Sequence, residues 1–429
     1  MRPTALVLVA AAAVMLAACG GGDDRVASIR GIQSTACSPT TSGGDGTPRH
    51  LVVLVAPLQN TAADHGIQNA QAVKLVLAQR GWRAGGDTVA LQVCDEASPE
   101  EVADGPRCER IAGAAGETAG VIAVLGPTLS RCAGLMLPIL NRARGGPIAL
   151  LGIGNTYLGL TRDGPGVEEG DPERFYPTGG RNYLRIAPAD DVQGAASVIA
   201  AREAGARRVF AIHDGTTYGR GVGRAFVEAA RRAGLESIGP EPWDPEARTY
   251  HELAARIART TPDAVFLAGN GPSNGGRLLR DLRGALGKGV GLYAPDGFSL
   301  ATELVEGAGE RAEGLTVTLS AAASSALPRR GREWAAEFTR RYGSRPCCYA
   351  VHAAQVTELV LDAIERSDGT RAGVLDKLMH TRTSDGLVGG FSFDALGDST
   401  LRGISLHRIE GGRLRYLRTI EVPEALLAR

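Results

Sequence analysis

The stretch Leu51-Val52-Val53-Leu54-Val55 is a short, unbroken apolar run of the kind that makes a strand buried on both faces. Ile67, Ala70, Val73 and Leu77 follow at helical spacing. The alternation then repeats. Val89–Val93 reads as a strand, with a helix near 99–116. Val121–Leu125 is a third strand, with Leu135–Leu140 on the helix after it, and Ile148–Leu151 is a fourth. Strands beginning near 51, 88, 120 and 148 with helices between them imply βαβ units and a parallel sheet.

A Gly-, Pro- and Asp-rich loop, Thr161–Asn182, interrupts this pattern, which then restarts. Val209–Ile212, Ala264–Leu267 and Gly289–Ala294 read as strands, with helices near 220–233 and 276–286. The expected fold is therefore α/β, with two doubly wound parallel-sheet lobes. Beyond 330, Trp334–Tyr342, Val351–Ile364 and Val374–His380 are helical patterns. Phe391-Ser392-Phe393, Ile404–Ile409 and Leu414–Val422 read as short antiparallel strands with a Gly411-Gly412 turn.

The chain of 429 residues is too long for one hydrophobic core. With 44% apolar and 22% charged residues it has the composition of a folded globular protein. Its 47 basic and 47 acidic residues cancel, which argues against a nucleic-acid binder.

The N-terminus predicts export. Arg2 precedes an apolar run from Ala5 to Ala18, too short to span a bilayer, which takes about 20 residues. The run ends in Leu16-Ala17-Ala18-Cys19-Gly20, which resembles a bacterial lipobox. Residues 1–18 are expected to be a lipoprotein signal peptide, Cys19 the lipidated residue, and 19–49 a flexible tether, with the lipid as the membrane contact. Seven cysteines in an exported chain suggest disulfides, among Cys37, the cluster Cys94, Cys108 and Cys132, and the adjacent Cys347-Cys348. No Cys-x-x-Cys or His-x-x-x-His spacing supports a metal site.

Several motifs carry chemistry on paper. Gly271-Pro272-Ser273-Asn274-Gly275 fits a nucleophile elbow, with His352, His380 or His407 downstream, but the proline before Ser273 suits a strained turn poorly. Gly219-Arg220-Gly221-Val222-Gly223 brings its third glycine one residue too early for a dinucleotide fingerprint, and no P-loop occurs. His213-Asp214, at a strand end, reads as structural. What remains is a set of polar residues outside the carboxyl ends of strands, where open α/β sheets bind ligands. Ser130 starts a helix, whose N-terminus suits a carboxylate. Gly154 and Thr156 follow the fourth strand with close backbone approach and a hydroxyl. Tyr218 and Asp296 follow strands of the second half, and Asp296 suits an ammonium group. Together they suit a zwitterionic amino acid held between two lobes.

These residues lie among marks that resemble substrate-binding proteins of branched-chain amino acid ABC transporters, of the leucine-binding, type I periplasmic kind. The marks are Val124-Leu125-Gly126-Pro127 with Ser130, Gly154-Asn155-Thr156 with Leu160-Thr161, and Arg185-Ile186 with Asp191-Val192-Gln193-Gly194. They continue through His213-Asp214, Tyr218-Gly219, Ala294-Pro295-Asp296-Gly297, Ala312-Glu313-Gly314 and Gly389-Gly390-Phe391-Ser392-Phe393-Asp394 with Gly397-Asp398. The resemblance implies two lobes crossed three times, near 188, 295 and 388. Lobe one is then 50–188 plus 297–387, and lobe two 189–296 plus 388–425.

By the same resemblance, Ser130, Gly154 and Thr156 hold the ligand's carboxylate and amine, Tyr218 is a lobe-two contact and Asp296 pairs with the ammonium. His65 and Asn270 stand where the family often has an aromatic, which leaves the side-chain preference open to a polar or larger amino acid. A disulfide from Cys132 to Cys94 or Cys108 is implied. So are a permease and an ATPase encoded separately as partners, binding without catalysis, and no cofactor. A sensor of the same fold is the alternative, with a Ser273 hydrolase behind it.

Overall fold

The structure is a computed structural model that describes residues 25–26, 29–43, 46–347 and 349–427. The expected signal peptide and Cys19 lie outside the described residues. Among the described residues, no helix is long and apolar enough to cross a membrane.

Two sheets organise the chain. The first runs in the order Arg25–Val26, Thr41–Ser42, Asp87–Asp95, His50–Ala56, Val121–Leu125, Ala149–Gly152, Tyr183–Arg185, with Arg83–Ala84 paired to Asp87–Asp95. Its central four pairings are parallel, with Val53 level with Gln92 and Val124 with Leu150. Every residue of His50–Ala56 is buried, because helices cover both faces of this sheet. The second sheet runs Glu236–Pro242, Arg208–His213, Ala264–Ala268, Gly291–Ala294, Thr316–Leu319, Gly403–Glu410, Arg413–Glu421. It is parallel up to Thr316–Leu319 and antiparallel beyond it, and it too has an apolar layer on each face. Gly411 and Gly412, both at positive φ, make the expected final turn.

Two of the three expected crossings shift. The first sheet ends at Tyr183–Arg185, and the helix Asp190–Glu203 after it packs against the second sheet. The second crossing does not lie near 295. Thr316–Leu319 hydrogen-bonds between Gly291–Ala294 and Gly403–Glu410, so the chain stays in the second lobe until after Leu319. The third does not lie near 388 either. Leu387, Phe391 and Phe393 pack in the first lobe, and the chain leaves it only before Gly403.

The hinge is tied by a buried ion pair. Arg185 Nε donates to Asp398 at 2.7 Å, Thr161 Oγ1 donates to the other Asp398 oxygen at 3.0 Å, and Arg162 grips Asp191 through two bonds of 2.9–3.0 Å.

The expectation of a loose segment from 19 to 49 is corrected for residues 29–43, which strap the edge of the first sheet. Cys37 is disulfide-bonded to Cys94. Ile32 is buried, and the Gln92 side chain bonds Ile32 N at 2.7 Å and Ser38 O at 2.9 Å. The second disulfide, Cys108–Cys132, joins the helices Gly105–Glu117 and Ser130–Asn141. Cys132 thus takes one of the two partners expected for it, and Cys94 goes to the strap.

Candidate functional site

A cleft of about 650 Å³ opens between the lobes at the carboxyl ends of both sheets. Ser130, Gly154, Thr156, Tyr218, Asp296, His65 and Asn270 all line it. Sequence positions more than 230 residues apart, His65 and Asp296 among them, thus meet in one crevice.

The first-lobe wall is built by two connections. Leu129 precedes the helix Ser130–Asn141 in extended conformation and gives it no side-chain cap, so the amides of the first turn have no intrahelical partner. The amides just before that turn are taken: the Glu96 carboxylate accepts from Thr128 N at 2.7 Å and Leu129 N at 3.3 Å. Burial pushes Glu96 up to about 8 even so. Ser130 Oγ accepts from Tyr157 N at 3.3 Å. Asn155 pins the second connection, donating to Pro127 O and accepting from the Tyr183 hydroxyl at 2.6 Å. Gly154 is required where it is, since a Cβ there would stand 2.9 Å from the Tyr349 ring.

The second-lobe wall centres on Asp296, beyond the end of Gly291–Ala294 and only 8% exposed. Two phenols donate to its two oxygens: Tyr218 to Oδ1 and Tyr349 to Oδ2. Desolvation raises the Asp296 pKa, against the bonds from Tyr218, Tyr349 and Gln193. Desolvation and the adjoining carboxylate push the Tyr218 phenol well up, so it stays a donor. Both phenol oxygens keep lone pairs for a ligand N–H. Thr216 caps the helix Thr217–Arg232 that carries Tyr218, accepting from Gly219 N at 3.0 Å.

His65, on the helix Ala63–Gln79, is half-buried at the rim, and burial lowers its imidazole pKa. Asn270 donates from backbone and side chain to Asp214 at 2.9 and 3.0 Å. Asp214 also takes the Ser273 hydroxyl at 3.1 Å. The nucleophile-elbow reading therefore fails on geometry. Ser273 Oγ is spent on Asp214, while His352 bonds Ile153 O and His380 bonds Asp376 O. His407 lies on the strand Gly403–Glu410, against Tyr416. The Gly219–Gly223 glycines sit inside a helix, where a Cβ on Gly219 would come 2.1 Å from Asp214 Oδ1, so they serve close packing.

Glu96, Cys108 and Cys132 bring three potential metal-ligand atoms within 4.8 Å of one another, but the two sulfurs are bonded together and offer no thiolate.

Nothing in the sequence singles out Tyr349. It stands before the helix Ala350–Glu365 and reads there as one more apolar residue of a buried helix. Gln193, one of the quoted marks, turns out to sit in the Asp296 cluster: its amide oxygen lies 3.4 Å from the Tyr218 hydroxyl oxygen, and its amide nitrogen donates to Thr318 O at 2.9 Å.

Residues 52–412 match the model of a family described as periplasmic binding protein. A curated Leu/Ile/Val/Thr-binding protein of Salmonella typhimurium is 31% identical over 112 residues, which is 26% of this chain and 30% of that protein's length. The crystal structure of a leucine-binding protein from Thermotoga maritima superposes with a TM-score of 0.73 at 21% identity, over 87% of this chain and 99% of that one. A solute-binding protein of an ABC transporter from R. palustris, solved with benzoate, has a TM-score of 0.69 at 17% identity, over 88% and 97%. The chain belongs to the periplasmic binding protein family, with the two-lobed type I fold; that family is one of solute-binding proteins rather than enzymes.

Proposed function

We propose that this member of the periplasmic binding protein family is an extracytoplasmic lipoprotein that captures an amino acid, branched-chain or related, in the interlobe cleft and delivers it to an ABC importer. One observation carries the reading. Ser130 and Thr156, which suit a carboxylate, line the same cleft as Asp296, which suits an ammonium. Asp296 is held by two phenols and has no cationic partner among its hydrogen bonds.

The mechanism is binding and closure. The ligand carboxylate takes the unpaired amides of the first turn at Ser130, where the helix dipole adds to them. Its ammonium meets Asp296 and the lone pairs of Tyr218 and Tyr349. A ligand touching both walls stabilises the closed form by its extra contacts there, so the open–closed equilibrium shifts. Closure expels water, which strengthens the Asp296–ammonium attraction. The closed shape is what a separately encoded permease and ATPase would recognise. His65 and Asn270 make the side-chain end of the cleft polar and favour a polar or larger side chain.

A thermal-shift screen against the L-amino acids tests this, since a bound ligand raises the melting temperature by mass action. Stabilisation by at least one amino acid, confirmed by calorimetry, is expected; no shift with any of them refutes it. The anchor is tested separately. Replacing Cys19 by Ser moves the protein from the membrane to the soluble fraction if a lipid there is the attachment.

A further inference from the structure

Behind Thr156 lies a carboxylate that the binding scheme above does not use. Asp190 opens the helix Asp190–Glu203 and is fully buried, and neither of its oxygens accepts a hydrogen bond within normal geometry. Its backbone N–H donates to Thr156 O at 2.9 Å, and the Thr156 side chain is the neighbour that most favours its ionised form. A Cβ on Gly221, in the helix that carries Tyr218, would stand 3.1 Å from Asp190 Oδ2 and 3.1 Å from the Tyr157 ring. Tyr183, Arg185, Asp191, Tyr218 and Asp296 are the charged and titratable groups that interact with it electrostatically, and the Tyr157 ring packs on the same glycine. Arg185 is the one cation among these, and it is committed to Asp398, Tyr157 O and Thr161. Two buried carboxylates, Asp190 and Asp296, therefore bear on Tyr218 and on the Thr156 wall with no uncommitted cation among those neighbours.

We propose that Asp190 is a second acid of the ammonium subsite, a positioning residue that acts through Thr156 and Tyr218 to select ligands bearing an ammonium over carboxylates that lack one. This rests on the amino-acid reading of the cleft. Two neighbouring buried acids cannot both ionise readily while the cleft is empty. Burial pushes Asp190 up to about 8, and Asp296 is raised for the same cause. An incoming ammonium supplies the missing positive charge, so the pair ionises and a proton leaves for solvent. A carboxylate without an ammonium would instead bring a further negative charge to the same enclosure and leave the pair holding its proton.

The test uses the intact protein. Each L-amino acid that stabilises it is paired with its deaminated acid, for example L-leucine with 4-methylpentanoate. Calorimetry in two buffers of different ionisation enthalpy counts protons released. The expected result is release approaching one proton near pH 7, with affinity rising up to about tenfold per pH unit until the pair is ionised. Asp190→Asn is expected to cut amino-acid affinity about tenfold, to halve the proton release roughly, and to narrow the preference over the deaminated acid by about the same tenfold. A residue that only supported the fold would lower the melting temperature and leave both the proton count and that preference unchanged. If Asp190→Asn does not fold, Asp190→Ser carries the same two measurements, with the same loss of proton release and of preference expected. Amino-acid binding without proton release, or with unaltered selectivity in Asp190→Asn, overturns this proposal and leaves the amino-acid reading standing. No binding of any amino acid overturns both.

Discussion

The Tyr349 hydroxyl belongs to the first lobe, yet it donates to the Asp296 carboxylate of the second, so one hydrogen bond crosses the floor of the cleft. The acid that would receive a ligand's ammonium is the same group that holds the lobes together. On the proposed reading, ligand recognition and lobe closure share this carboxylate, and changes at either residue report on both.

Asp296→Ala is expected to weaken amino-acid binding by about 3–5 kcal/mol, the cost of leaving a buried ammonium unpaired. Calorimetry reads it directly, and an unchanged affinity would remove Asp296 from the site.

Tyr349→Phe deletes the interlobe donor and keeps the ring. A hydrogen bond to a charged acceptor contributes about 1.5–3 kcal/mol, so ligand affinity should fall roughly tenfold or more. The ligand-free protein should open, seen as a larger radius of gyration in solution scattering. Identical scattering and affinity would show that the bond does not couple the lobes.

Asp398→Ala leaves Arg185 buried and unpaired, and should cost about 3–5 kcal/mol in denaturant unfolding. Desolvation would raise the Asp398 pKa, but Arg185, Arg162 and Thr161 outweigh it and hold it below its ordinary value. A depressed carboxyl contributes stability above its unfolded pKa of about 3.9 and loses it as pH falls through the lower folded value. The acid limb of the stability curve below about pH 4 should therefore flatten in Asp398→Asn. An acid limb as steep as in the unsubstituted protein would assign it to other groups.

Burial drives the His352 pKa down to about 4. Its unfolded value is about 6.5, so the unfolded chain binds the extra proton first, and stability should fall as pH drops from 6.5 toward 4. His352→Gln should remove that slope. A persistent slope would point to His407, which burial also lowers to about 4.

Cys37→Ala frees the strap. The disulfide closes a separation of 57 residues, for which loop entropy gives about 4 kcal/mol. Unfolding should shift by that order, while ligand affinity stays within about twofold because no residue of the strap lines the cleft. An equal loss of affinity would link the strap to the site.

Much of this is legible in the chain. Runs such as Val121–Leu125 and Ala264–Leu267 become strands at nearly the expected residues, because a strand buried on both faces must be apolar throughout. Residues at strand ends, Ser130 and Asp296 among them, can be found because connections there must carry polar groups. The second crossing escapes a reading of the sequence because Thr316–Leu319 is four residues of alternating threonine, with no apolar run to announce it. The strap escapes it because Ile29–Ser42 has few apolar residues and is held by Cys37 and by the Gln92 amide, a partner about 60 positions away. Tyr349 and Asp190 stay hidden for a related reason: their partners come from the other lobe or from a neighbouring helix, and nothing local marks them.

The strap has a mechanical consequence. The N-terminal segment is riveted at Cys37 to one half of the molecule, so a leash arriving from that end pulls on the first lobe alone. The second lobe is joined to it through the connections after Arg185, after Leu319 and before Gly403, like a jaw on a fixed skull, so a swing of that lobe would need no slack in the mooring.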